Sequence, residues 1–265
     1  MDTPLVSIIL STYNGSRYIC EAIDSVLAQD FIDFEFLIID DASTDNTANI
    51  LYAYGANDTR IRIFRNAENL KLVGSLNYGL QEARGKYIAR IDDDDIWQDS
   101  TKLTRQVQEL EKNTDIAVVW TFAEIINDDW QKTGKCIQHA TSSLQVRSAS
   151  RLRNQLVHTS ILARRDILMQ LGWYDAHWLY VEDYDLWLRV LGLGYNIINI
   201  PQYMVVYRVR MWSTTGHKYH HMQWLTFLRL FHEKNLYKNI FEKGYFLTLR
   251  SILVIIPMCI IQYLK

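Results

Sequence analysis

The chain has 265 residues, 49% hydrophobic, 22% charged and 12% aromatic, a composition that excludes a disordered, collagenous or Pro-rich architecture. Its 28 Lys and Arg against 30 Asp and Glu leave a formal charge of −2, which excludes whole-chain basic attraction to nucleic acid, so no such partner is expected. Cys20, Cys136 and Cys259 are scattered and odd in number, so neither a disulfide framework nor a CxxC metal site is expected, and a reducing cytoplasm is the simpler setting.

No export signal is expected: residues 1–4 hold Asp2 and no Lys or Arg, and the apolar run 5–10 is shorter than a signal-peptide core. That run, LVSIIL, reads as a buried parallel strand. It ends in the turn cluster Ser11-Thr12-Tyr13-Asn14-Gly15, and apolar residues then recur at helical spacing from Tyr18 to Leu27. Residues 34–39 (FEFLII) predict a second strand, stopping at Asp40-Asp41. Ser43-Thr44-Asp45 offers helix-capping groups before a short helix to about residue 54. Residues 61–64 predict a third strand, 72–83 a helix stopped by Gly85, and 87–91 a fourth strand followed by Asp92-Asp93-Asp94-Asp95. This alternation means βαβ units and a mostly parallel sheet, an α/β fold. Further on, 144–153 reads as a helix, 156–163 as a strand containing His158, a helix starts near Glu182-Asp183, and 203–207 is a strand. Residues 122–135 and 211–218 read as loops placed to act as lids.

The acids mark a site. In open α/β sheets ligands bind outside the carboxyl ends of the strands, and three strands here deliver a Tyr and up to six carboxylates to one rim. Such a concentration of negative charge calls for a cation or a donor-rich ligand. Mg²⁺ or Mn²⁺ takes oxygen ligands and shares carboxylates with substrate phosphates, so a metal-chelated nucleotide is the natural occupant. Taken alone, Asp40-Asp41 also fits a plain helix-entry turn and Asp92 to Asp95 a solvated loop. An EF-hand fails, since Ile96 and Trp97 stand where oxygen ligands and a turn Gly are needed. Gly192-Leu193-Gly194 lacks the third Gly of a dinucleotide fingerprint, and no GxxxxGK[ST] loop is present.

VSIILSTYNG, FLIIDDASTDNT, SLNYGLQEARGKYIARIDDDDIW and EDYDLWLR, in that order, resemble the family 2 glycosyltransferases. The likeness runs from Val6 to about Arg208 and is closest to bacterial enzymes that build lipopolysaccharide, capsule or O-antigen. It implies the GT-A fold, a nucleotide-sugar donor, expected in the UDP series, and a divalent metal. It places Ser11 and Tyr13 on the nucleotide base and Asp41 on the uracil. Asp92-Asp93-Asp94 matches the DXD motif, with Asp94 on the metal and Asp93 on the ribose or donor sugar. Arg84 and Arg90 fit either phosphate neutralisation or structural ion pairs. By the same resemblance Asp183 is the catalytic base and Glu182 contacts the acceptor. The simpler alternative for both is acidic capping of a helix start, which the helix dipole favours. A lone strand His is commonly structural, but the family often has one where His158 stands, so both readings remain.

The chemistry suits these residue types. The metal stabilises charge on the departing diphosphate, and a carboxylate takes the proton of the attacking acceptor hydroxyl. One base without a protein nucleophile implies a single displacement with inversion. One departure stands out: relatives often read Tyr-Arg-x-His where this chain has Tyr207-Arg208-Val209-Arg210. Arg cannot ligate a divalent cation but pairs well with phosphate, so Arg210 is placed on the diphosphate, with His217, His220 and His221 as the alternative ligands.

Residues 1–218 are thus expected to form the catalytic domain, 1–98 its nucleotide-sugar half and 99–218 its acceptor half. Residues 219–265 are expected to be a helical extension rich in aromatic residues and cations. Within it, 245–264 carries Arg250 as its only charge and holds Pro257, barely the ~20 residues a spanning helix needs. Embedding in one leaflet is favoured, a helix packed on the domain is the alternative, and attachment to the cytoplasmic face of the inner membrane follows. The acceptor expected is a glycan or lipid-linked glycan. The rivals are a sugar nucleotidyltransferase, which would want a Gly-rich basic loop after the first strand, and a nucleotide-sugar-binding protein without catalysis.

Overall fold

The computed structural model describes residues 3–150, 153–178 and 180–209. A nine-stranded sheet runs through it in the order β3-β2-β1-β4-β8-β6-β9-β5, with β7 paired to β6. The first half is β1 (Val6–Thr12), α1 (Ile19–Leu27), β2 (Phe34–Asp40), α2 (Thr47–Asn57), β3 (Ile61–Arg65), α3 (Lys71–Glu82) and β4 (Tyr87–Asp92). All its strand pairs are parallel, β1 lying between β2 and β4. All seven residues of β2 are buried, as expected of a strand covered on both faces. Ile19, Ala22, Ile23 and Val26 of α1 are buried, the stripe that helical spacing anticipates. Leu10, Ile38 and Ile91 sit in one core along these strands, and replacing any of them by Ala would cost about 2–5 kcal/mol.

The second half is β5 (Ile96–Trp97), α4 (Lys102–Lys112), β6 (Ile116–Ile126), β7 (Lys132–Ile137), α5 (Ser143–Ala149), β8 (Leu162–Arg164), α6 (Arg165–Gln170), α7 (Glu182–Gly192) and β9 (Asn196–Arg208). Here the sheet is mixed. Short β8 joins β4 to β6 by antiparallel pairs on both sides, β6 and β9 are parallel, and β9 pairs antiparallel with β5. The β6–β9 register shifts between Thr121 and Phe122, skipping Pro201 and Gln202. A bulge is where a strand tolerates a proline, which has no N–H for the ladder.

Two local expectations change. Residues 122–135, anticipated as a loop, form the end of β6, a turn and the start of β7. The long apolar run IAVVWTFAEII supplies the buried strand, and Asn127 holds the turn by accepting at Oδ1 from the Asp129 and Gln131 amides. Residues 156–163 are not one strand: a 3-10 turn at His158–Ser160 precedes β8. Ser160 donates from its hydroxyl to the Val157 carbonyl, 2.8 Å away, a local bond that competes with strand pairing. Residues 210–265, including Arg210, the three alternative histidines and the proposed membrane segment, lie outside the described residues.

Candidate active site

The carboxyl ends of β1, β2 and β4 form one rim, because these strands run parallel and in register, Ser11 opposite Ile39 and Asp92. Two loops at that rim brace each other. Asn14, at φ 56°, accepts at Oδ1 from the Thr44 amide at 2.8 Å, and its own amide donates to Ser43 Oγ at 3.0 Å. Asn tolerates this left-handed backbone. Beside them Tyr13 stands 49% exposed, a ring available for stacking, and Ser11 is half-buried.

Asp40 and Asp41 are both buried but differently used. Asp40 Oδ1 accepts from the Ser43 amide at 2.8 Å, and its carboxylate pairs with Arg65 at 3.0 Å. Asp41 Oδ1 accepts from Asn66 Nδ2 and from the Leu70 amide, each at 2.8 Å. Asp40 thus closes its own loop, whereas Asp41 ties β2 to the segment entering α3.

The four aspartates after β4 do not act alike. Asp92 is held by both terminal nitrogens of Arg90, one at 2.7 Å, and its amide donates to Thr159 Oγ1 at 3.1 Å. Asp93 Oδ2 accepts from Thr12 Oγ1 at 2.6 Å. Gly15 makes room for that bond, since a Cβ there would collide with both partners. Asp94 is half-buried, and its carbonyl accepts from Arg208 Nε at 3.0 Å. Asp95 is 1% exposed, and its carboxyl is pushed well above the usual range by burial first, then by the charges of Asp94 and Asp92.

Arg208 is the site residue that pattern reading quoted but left without a role. Its amide donates to Asp95 Oδ1 at 2.8 Å, and its guanidinium lies 4.3 Å from the Tyr18 ring centre and 3.6 Å from that of Trp130. It therefore joins the acidic loop to the start of α1 and to the β6–β7 turn. The signal was present in the Tyr207-Arg208 pair, but only the pairing of β9 with β5 brings it beneath Asp94. Arg84 belongs elsewhere: its amide donates to Ser7 Oγ and Glu35, at the amino ends of β1 and β2. Arg90 makes an ion pair, with Asp92, whereas the Arg84 backbone lies at the other end of the strands from the acidic rim.

On the other side of the rim, α7 begins with Glu182 and Asp183, 6% and 7% exposed. Asp183 Oδ1 accepts from the Tyr184 amide at 2.7 Å and Oδ2 from Asn154 Nδ2 at 2.6 Å. Both carboxyls are raised, chiefly by burial; for Glu182 the next cause is the charge of Asp183, while the Tyr184 and Asn154 bonds and Arg90 pull Asp183 back down. His158 Nε2 lies 2.6 Å from Tyr174 Oη. Burial, with Arg90 second, keeps that imidazole neutral. Tyr174 is fixed through its backbone by Asn77 of α3, at 2.8 and 3.1 Å, and its hydroxyl is influenced by Arg90, Asp183, Glu182 and Asp92. Asp92, His158, Glu182 and Asp183 thus form one electrostatic group around Arg90 and Tyr174. Ser11, Tyr13 and Asp41 lie along the rim toward β2. Tyr174 and Asn154 had no sequence signal of their own, being single polar residues in irregular segments.

A divalent metal fits the acidic loop in one limited way. Among the described residues no group of three or more His, Cys, Asp or Glu is placed to hold a metal, but Mg²⁺-type ions bind through one or two carboxylates together with substrate phosphates. Asp93 and Asp94, half-buried beside the buried Asp95, are carboxylates of that kind. Among the described residues no helix is long and apolar enough to cross a membrane.

The profile of the family described as Glycosyl transferase family 2 matches residues 7–172, more than half of the chain. A putative teichuronic acid biosynthesis glycosyltransferase, TuaG, of Bacillus subtilis is 30% identical over 217 residues, covering 82% of this chain and 83% of that protein. The solved structure of S. aureus TarS 1-349 in complex with UDP-GlcNAc superposes with a TM-score of 0.67 at 17% identity, covering 86% of this chain and 66% of that one. A mannosyltransferase from Pyrobaculum calidifontis, in complex with GDP-Man and Mn²⁺, has a TM-score of 0.62 at 15% identity and covers 98% and 81%.

Proposed function

Because the chain belongs to glycosyltransferase family 2, with the GT-A fold, we propose that it moves a sugar from a nucleoside diphosphate donor to a hydroxyl of a glycan or lipid-linked glycan, with inversion. The observation that carries this reading is the pair of acidic centres on one rim. Asp92, which opens the loop carrying the half-buried Asp93 and Asp94, and the buried Glu182-Asp183 pair belong to one electrostatic group through Arg90 and Tyr174.

In this reading Ser11, Tyr13 and Asp41 hold the base. The second carboxylate oxygen of Asp41 is the acceptor suited to a uracil N–H, which favours a UDP-sugar. Asp93, oriented by Thr12, faces the ribose or the sugar. Asp94 would hold Mg²⁺ or Mn²⁺; when bound, the metal supplies Lewis-acid stabilisation of charge on the leaving diphosphate. Asp183 accepts the proton of the acceptor hydroxyl as that oxygen bonds to the anomeric carbon. The bond from that carbon to the diphosphate oxygen breaks with its electron pair leaving on the nucleoside diphosphate. No protein nucleophile is required, so one displacement inverts the centre. A helix start lowers the proton affinity of a carboxylate and exclusion from water raises it, so the burial of Asp183 supports its part as the base. Glu182 contacts the acceptor, and His158 lies beside the pair through Tyr174.

TuaG supports a place in surface polysaccharide synthesis, and the donors bound by TarS and the mannosyltransferase support a nucleotide sugar. Membrane association through residues 219–265 and a contact of Arg210 with the diphosphate rest on sequence alone. The test is nucleotide release from UDP-, GDP- and dTDP-sugars with Mn²⁺, Mg²⁺ or EDTA, in wild type, Asp94→Ala and Asp183→Asn. Metal-dependent release from one donor, lost in both variants, is the expected result. Metal-dependent binding with no release, even with membrane lipid extract as acceptor, would leave a binding protein, and no binding of any donor would overturn the reading.

A further inference from the structure

Asn154 lies in the irregular segment between α5 and the His158 turn, where no catalytic pattern points. It is buried, 8% exposed, and its amide orientation is set by two bonds. Oδ1 accepts from the Leu156 amide at 3.1 Å, which obliges Nδ2 to face Asp183 Oδ2 at 2.6 Å. A flipped amide would offer a carbonyl to a carboxylate and an NH₂ to an N–H, so only one orientation satisfies both neighbours. The segment is itself docked on α7, since Tyr184 Oη donates to the Ser150 carbonyl at 2.6 Å. Among the described residues Asp183 is thus bonded on both oxygens, by Tyr184 N–H on Oδ1 and by Asn154 Nδ2 on Oδ2. Each carboxylate oxygen has a second lone pair, so the group stays able to take a proton.

We infer that Asn154 is a positioning residue: its amide fixes the Asp183 carboxylate and makes Asp183, rather than its neighbour Glu182, the base toward an acceptor hydroxyl. The inference rests on the transferase reading above. Two adjacent buried carboxyls that feel each other share protons as a pair, and whichever has more donors keeps the charge. Among the described residues, the charged and titratable groups near Asp183 include Glu182, Tyr184 and Asp185 on its own helix, Arg90 and Asp92 on β4, and Tyr174, which carries His158. Arg90 pulls both acids down and so does not choose between them. Asn154 touches only Asp183 of the two, and it does choose.

The experiment is the pH dependence of kcat/KM for sugar transfer by the full chain, in wild type, Asn154→Ala, Asn154→Asp, Asn154→Ser and Glu182→Gln. Nucleotide affinity and thermal unfolding are followed in each. A lost donor to the charged form raises the folded pKa of Asp183, so activity is lost from the acid side. The acid limb of Asn154→Ala is expected to move up by about one pH unit, and that of Asn154→Asp further, because a like charge replaces a donor. Glu182→Gln removes a like charge and should move the limb down. Asn154→Ser keeps a short donor and should restore part of the shift. Nucleotide affinity should stay within about twofold of wild type. A fall in kcat with no movement of the limb in either Asn154→Ala or Asn154→Ser would overturn the inference, since a merely structural role lowers the rate without moving a pKa. Should Asn154→Ala and Asn154→Asp fail to fold, Asn154→Ser and Glu182→Gln still decide it by shifting in opposite directions or not. If Asp183→Asn keeps wild-type turnover, the base assignment itself falls and the inference falls with it. If Asp183→Asn is inactive while the Asn154 limbs stay still, the inference alone falls.

Discussion

In the half of the molecule built from β1 to β4, site residues sit on short loops after parallel strands, and their partners are near in structure and mostly on adjacent loops. Asn14 meets Ser43 and Thr44, and Asp41 meets Asn66 and Leu70. In the half that follows, Asp183 is held by Asn154, His158 by Tyr174 and Asp95 by Arg208, all from irregular segments or a strand end. The first half therefore presents a preformed rim, the side proposed for the nucleotide, on the parallel part of the sheet. The second presents a buried acid pair whose properties depend on several distant contacts at once. Binding and catalysis should separate along that line, and substitutions can test how cleanly they do.

The largest effect is expected at Asp183. Asp183→Asn keeps the shape and removes the base, and should lower kcat by roughly 10²–10⁴-fold with nucleotide affinity intact, read by transfer assays and calorimetry. A parallel loss of nucleotide binding would break the separation of the halves. Arg90 spans both. Arg90→Leu leaves Asp92 without its guanidinium and should destabilise the fold by about 3–5 kcal/mol, measured by urea unfolding. Since Arg90 lowers both Glu182 and Asp183, the surviving activity should also shift its acid limb to higher pH; an unchanged limb would sever the link between β4 and α7.

Gly15→Ala acts on the nucleotide half alone. Its Cβ would displace the Thr12–Asp93 contact, and donor KM should rise about tenfold, equivalent to one charge-assisted hydrogen bond of ~1.5 kcal/mol, with the pH profile unmoved. The smallest effect concerns Lys102, fully buried, with its Nζ 3.7 Å from the Trp97 ring centre and 2.9 Å from Gln106 Oε1. Burial depresses this lysine well below its ordinary value. In the unfolded chain it is protonated below about pH 10.4, so folding favours release of its proton below that pH, and stability is lost as pH falls from that value toward the lower folded one. Lys102→Met should therefore raise stability by about 1 kcal/mol, more at pH 7 than at pH 10. A variant less stable at both would mean that the cation over Trp97 outweighs desolvation.

Much of the first half was legible in the sequence. The runs LVSIIL and FEFLII are buried strands because apolar side chains on both faces need cover from both sides, and the acids following them fall at strand ends by topology alone. The EDYDLWLR segment also placed Glu182 and Asp183 at a helix start, where the structure has them. Less was legible where side chains answer to distant partners. Residues 122–135 looked polar enough for a loop, yet the turn between β6 and β7 is short and both flanking runs pair. His158 lies in a turn because Thr159 and Ser160 spend their hydroxyls on Asp92 and on local carbonyls. Tyr174 and Asn154 left no periodic trace, and Arg84 and Arg90, six residues apart and alike on paper, differ in place: Arg84 lies before β4, at the amino ends of β1 and β2, and Arg90 lies within β4, bonded to Asp92.

The sequence by itself determined the α/β alternation, the family and the positions of the acids, because these depend on the local pattern of apolar and polar residues along each segment. Only the tertiary structure decided which acid is neutralised, which is buried and which is held ready for a proton. Charge and hydrogen bonding act through space, and the partners that decide them, Arg90, Asn154, Tyr174 and Arg208, are brought to the rim by the order of the sheet.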